Sequence, residues 1–117
     1  MMDESMIESR RVALAQLREE LSGVIESATE GARPVDLDEP IGRISRVDAM
    51  QQQKMVAENR QAALLRRRQV DAALSRIDDG DYGECLGCGE TIAPRRLEAH
   101  PEASLCIECQ GHRERQD

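Results

Sequence analysis

The residues of this chain that could do chemistry are concentrated in one stretch, CLGCGETIAPRRLEAHPEASLCIEC, from Cys85 to Cys109. All four cysteines lie there, as two Cys-x2-Cys pairs with seventeen residues between them. That separation suits a tetrahedral zinc site in which each of two tight turns presents two thiolates. Gly87 and Gly89, on either side of Cys88, supply the backbone freedom that such a turn needs. The expectation is one structural Zn2+ held by Cys85, Cys88, Cys106 and Cys109. Four thiolates close the coordination shell and leave no position for a catalytic water.

Other uses of paired cysteines fit less well. Two disulfides call for an oxidising compartment, whereas Met1 to Ser9 carry neither a basic segment nor an apolar run of the kind that directs export. A thioredoxin-like redox pair needs a strand and helix around Cys85, and the sequence there offers neither. Iron–sulfur clusters use different cysteine spacings. His100 and His112 could each replace a thiolate, but with four cysteines in place both read as surface residues.

The elements that position this site must be helical. Of the 117 residues, Tyr82 is the one aromatic, and 33% are charged. Ala, Leu, Glu, Gln and Arg dominate the first two thirds, a composition that favours long helices over a compact core. No apolar run approaches the eighteen residues needed to span a bilayer, so a soluble protein of the reducing cytoplasm is expected. Net charge is −7, divided as −6 over residues 1–41, +3 over 42–79 and −4 over 80–117. An acidic chain binds DNA phosphates poorly, which points away from sequence-specific DNA binding and toward a protein partner.

Residues 3–29 read as one helix. Ile7, Leu14, Leu21 and Ala28 repeat at sevens, Leu17 and Val24 fill the companion position, and Arg10 breaks the seam. Asp3 and Glu4 suit its positive end. Gly31, Pro34, Pro40 and Gly42 then interrupt the pattern over residues 30–42, around an acidic cluster of Asp36, Asp38 and Glu39. Taken alone, that cluster reads as a solvated loop. A second helix is expected from Gly42 or Arg43 to Asp78. Its seam is Ala49, Val56, Ala63, Val70 and Ile77, flanked by Met50, Ala57, Leu64 and Leu74, with Gln53, Arg60 and Arg67 at the intervening positions. Polar groups in a seam fix register. Arg66, Arg67 and Arg68 point in three directions on a helix, a solvated or partner-facing surface and not a phosphate patch. Gly80 is placed to cap this helix, residues 92–105 cross the knuckle, and 106–116 form a short closing helix. The expected fold is mainly α: residues 1–79 make a long antiparallel coiled-coil hairpin with a tip loop at about 31–43, and residues 80–117 make a four-cysteine zinc finger with a C-terminal helix.

The finger segment YGECLGCGETIAPRRLEAHPEASLCIECQ closely resembles that of the DksA/TraR family. The shared features are the aromatic-Gly pair before the first cysteine, the spacing, the run Arg95-Arg96-Leu97-Glu98-Ala99, and Leu105 and Ile107 around the third cysteine. A hairpin followed by this finger matches the family's layout over nearly the whole chain. The resemblance implies a non-enzymatic regulator that binds RNA polymerase, inserts its hairpin into the secondary channel and modulates initiation, in some members together with ppGpp. The tip, about residues 35–49, then faces the polymerase active-site region, with Asp36, Asp38, Glu39, Ser45, Arg46 and Asp48 as the candidate partner-binding residues. This sequence departs from the family there. At the three positions of the Asp-x-x-Asp-x-Ala motif of DksA members this chain has Gly42, Ser45 and Val47 instead, with Asp48-Ala49 out of register and Asp36-x-x-Glu39 keeping the spacing without the Ala, and Leu65, Gln69 and His100 stand where those members carry basic residues toward ppGpp. Two alternatives of another class are a thiol or zinc redox sensor and a coiled-coil adaptor. The adaptor gives no reason for the finger.

Overall fold

Asp3 opens the first helix by capping it: its carboxylate accepts the Met6 amide at 2.8 Å and its carbonyl accepts the Ile7 amide. The computed structural model describes residues 2–31 and 46–116. Helix α1 spans Glu4–Gly31 and α2 spans Arg46–Asp79. The chain then turns into a compact end carrying α3, Pro94–Ala99, and α4, Ile107–Gln116. Among the described residues there is no strand beyond one isolated antiparallel bridge, Glu84 to Thr91. No described helix is long and apolar enough to cross a membrane. The molecule measures 60 × 32 × 20 Å.

Helices α1 and α2 pack as an antiparallel hairpin. Side-chain pairs cross between them along the described part: Arg11–Asp78, Arg18–Asp71, Arg67–Ser22 and Arg60–Thr29. Each step along α1 is matched by an equal step back along α2, so one register holds throughout. Two of the seam residues expected to fix it, Arg60 and Arg67, do reach across, each to a hydroxyl. Carried forward, that register brings Gly31 level with Glu58. Residues 46–57 of α2 therefore run on past the end of α1 by roughly 18 Å.

Leu14, Leu21, Ile25 and Ala28 of α1 pack on Ala63, Val70, Ala73 and Ile77 of α2, all buried, with Ile7, Leu17, Leu64 and Leu74 partly covered beside them. The seam departs from the strict heptad at one point: Val24 is 46% exposed and Ile25 takes its place. A straight α-helix drifts about 20° per heptad, so after two heptads the residue one place later lies under the stripe that Ile7 began. In α2 the flanking Met50 and Ala57 are exposed, and Ala73, which the sevens did not include, is fully buried.

Helix α2 stops in a Schellman turn. Gly80 adopts φ +81°, the Asp81 amide bonds back to the Arg76 carbonyl at 2.8 Å and the Gly80 amide to Ile77 at 3.2 Å. Pro94 stands at the start of α3, where its missing N–H is not needed, and that short helix was not anticipated. Its Leu97 is 1% exposed and packs with Ile92, Leu105 and Tyr82 in one narrow core that continues into the hairpin seam. Residues 32–45, with most of the expected tip loop, lie outside the described residues.

Candidate metal centre

The two cysteine pairs are held by different local structures. The first sits on a loop closed by hydrogen bonds from the Cys85 amide to the Glu90 carbonyl, 2.8 Å, and from the Gly89 amide to the Cys85 carbonyl, 2.9 Å. Gly89 takes φ +78°, which glycine adopts without strain. The second pair is built on the start of α4: Cys106 precedes its first residue and Cys109 lies in its first turn. The Leu86 amide donates to the Ser104 carbonyl at 2.9 Å, which ties the loop to the segment entering α4. Arg96 of α3 fixes that segment further, its Nε donating to the Leu105 carbonyl at 2.8 Å.

This scaffold gathers the four Sγ atoms within 4.8 Å of one another, with Cys88 and Cys106 at 3.9 Å. A tetrahedral site with zinc–sulfur bonds of about 2.3 Å needs sulfurs about 3.8 Å apart, so the donor set fits that ion. Backbone amides already point at the sulfurs. Cys85 Sγ accepts from Gly87 and from Cys106, each at 3.3 Å, and Cys106 Sγ accepts from Cys109 at 3.5 Å. A side chain on Gly87 would place its Cβ 3.1 Å from Cys109 Sγ, tighter than an ordinary contact, so the close approach of the turn favours glycine there. The Cys106 amide, helped by those of Cys88 and Gly87, holds the Cys85 thiol down at about 6. The sulfurs of Cys106, Cys85 and Cys88 push Cys109 up to about 12. Four thiols this close cannot all ionise without a cation between them, and a divalent ion resolves that conflict.

Comparison with known proteins agrees with this geometry. Residues 80–115 match the family of the prokaryotic dksA/traR C4-type zinc finger. The structure of transcription factor DksA2 from Pseudomonas aeruginosa superposes with a TM-score of 0.76 at 32% identity, covering 97% of this chain and 87% of that one. This chain belongs to the DksA/TraR family. The RNA polymerase-binding transcription factor DksA of Escherichia coli K12 is 32% identical over 96 residues, which span 80% of this chain and 59% of that protein. The corresponding protein of Haemophilus influenzae is 50% identical over 42 residues, 36% of this chain and 29% of that protein. The chain thus spans less than two thirds of the curated relatives it matches. As a DksA/TraR protein with a C4-type finger and four clustered cysteines, it carries a structural zinc and is mainly α.

Of the expected partner-binding residues, two are described, both at the start of α2. Arg46 is the first residue of α2 and Asp48 is exposed in its first turn. Asp36, Asp38, Glu39 and Ser45 lie outside the described residues. His100 is exposed, as expected, with Nδ1 3.7 Å from Glu102. Sequence reasoning missed two contacts at the junction, the first within the finger and the second between hairpin and finger. Tyr82, buried, donates its hydroxyl to the Pro101 carbonyl at 2.8 Å, and Arg66 Nε donates to the buried Glu102 carboxylate at 3.1 Å. The presence of one aromatic in the whole chain was a signal for Tyr82. Nothing local marked Glu102.

Proposed function

We propose that this protein is a cytoplasmic regulator that binds RNA polymerase, not an enzyme and not a reader of DNA sequence. In this reading residues 1–79 form the reaching part and residues 80–117 the anchoring part, with Cys85, Cys88, Cys106 and Cys109 holding the structural zinc. The distal end of the hairpin enters the secondary channel. There Asp36, Asp38, Glu39, Ser45, Arg46 and Asp48 meet the active-site region and change the lifetime of initiating complexes. The single observation that carries this is the likeness, over nearly the whole chain, to the transcription factor DksA2: hairpin and finger together, not the finger alone. The +3 charge of residues 42–79, set against the acidic remainder, supports a partner that docks along α2.

Whether ppGpp cooperates belongs to the same proposal. With Leu65, Gln69 and His100 at the positions where DksA members are basic, little dependence on ppGpp is expected. The test is transcription in vitro from a ribosomal promoter with purified protein, with and without ppGpp. It is paired with polymerase binding in competition with Gre-type cleavage factors. An Asp36/Asp38/Asp48→Asn variant should bind as well as the parent and lose its effect on transcription. No binding to core enzyme or holoenzyme would reject the proposal.

A further inference from the structure

Besides the apolar core that runs from the seam into the finger, the described residues fasten the finger to the hairpin at two separate places. One is the Schellman turn at Gly80, where the chain itself passes from α2 into the finger. The other is Arg66, thirteen residues back along α2 from Asp79, some 20 Å along the helix axis. Its guanidinium holds Glu102, and Tyr82 grips the carbonyl of Pro101 next to it. A pivot alone leaves an angle free. A pivot with a brace attached away from it fixes the angle.

The brace is polar where an apolar contact would hold more cheaply. Glu102 is 8% exposed, and burying a carboxylate beside one guanidinium gains little net stability. Its Oε2, like Arg10 Nε and Arg76 Nη2, is buried and has no protein hydrogen-bond partner among the described residues, and all three residues act electrostatically on Tyr82. Buried polar groups left unmatched are rare and costly. What hydrogen bonds provide that apolar packing does not is direction. Direction matters because α2 is a long lever: over its 34 residues, about 51 Å, a 10° error at the base moves the far end by about 9 Å.

We propose that Arg66, Glu102 and Tyr82 are positioning residues that set the angle between finger and hairpin and so aim the hairpin's distal end. The aim acquires its purpose from the polymerase reading above, but the brace itself is testable without polymerase. Spin labels are placed on noncanonical residues at exposed Lys54 and Glu98, which spares the zinc thiols, and the distance between them is measured by pulsed electron resonance. The parent should give one narrow distribution. Arg66→Met should broaden it, each 10° of added spread moving the far end by about 9 Å, while zinc content and helicity stay unchanged, and Arg66→Lys should restore much of the narrowing. Should Arg66→Met fold poorly, Glu102→Gln replaces it, with broadening again expected. An unchanged distribution in a zinc-loaded variant overturns the brace.

A second arm separates the two ideas. If the parent binds polymerase, Arg66→Met should keep binding and lose most of the transcriptional effect. Full retention of that effect would overturn the aiming role. If the parent does not bind polymerase at all, the functional reading fails and the distance measurement still decides the brace.

Discussion

Along the hairpin, Leu14, Leu21, Val70 and Ile77 lie buried in a seam that recurs at nearly regular intervals, and every contact there is made by the chain's own side chains. In the finger, Ile92, Leu97 and Leu105 are the main buried aliphatics, and the organising contact is a cluster of four sulfurs. The hairpin gains its stability by repetition, so losing one residue shortens a seam that continues on either side. The finger depends on a single point, because too few apolar groups surround the thiols to hold the loop and α4 together without the ion. One region is redundant and the other is conditional.

The largest expected effect removes the conditional element. Chelation of zinc, or Cys106→Ser, should unfold residues 80–117 and leave most of the α1–α2 helicity in place, followed by circular dichroism alongside metal analysis. Equal loss from both regions would erase the distinction. Acid should act in the same direction. Backbone amides already hold the Cys85 thiol down at about 6 before the ion binds, and zinc on the sulfur lowers it further, so protons displace the ion only as pH falls below that value. Zinc release should therefore appear on acidification and never on raising the pH toward 8, monitored with a colorimetric zinc indicator.

A smaller effect is expected within the repeat. Leu14 is 0% exposed, and Leu14→Ala should cost about 2–5 kcal/mol in denaturant unfolding while zinc content is unchanged. Loss of zinc from this variant would mean that the two regions unfold as one. The smallest effect belongs to the surface. Arg18 and Asp71 are each about half exposed, and Asp71→Asn should lower stability by less than about 1 kcal/mol, shrinking further in salt.

The same contrast explains what could be read from the sequence. The cysteine spacing encodes a site built from two local turns, so the clustering of four sulfurs was legible, as were the helix stop at Gly80 and the hairpin's antiparallel seam. Val24 was misplaced because a repeat of seven and a period of 3.6 residues part company after two turns of the pattern. α3 was missed because six residues are too few to show a period, although Pro94 marked its start. The brace could not be read at all. Arg66 and Glu102 are thirty-six positions apart and meet only once the finger has folded against α2.

Tyr82 has a consequence for how the molecule can be watched. With no tryptophan or phenylalanine in the chain, its ring is the one aromatic chromophore, and it sits at the junction of the two regions. Near-ultraviolet absorption and emission therefore report on that junction alone, without a label and without background from elsewhere. Burial raises the phenol's pKa above its ordinary value, so the spectrum of the tyrosinate, appearing late in an alkaline titration, gives an optical reading of whether finger and hairpin are still joined.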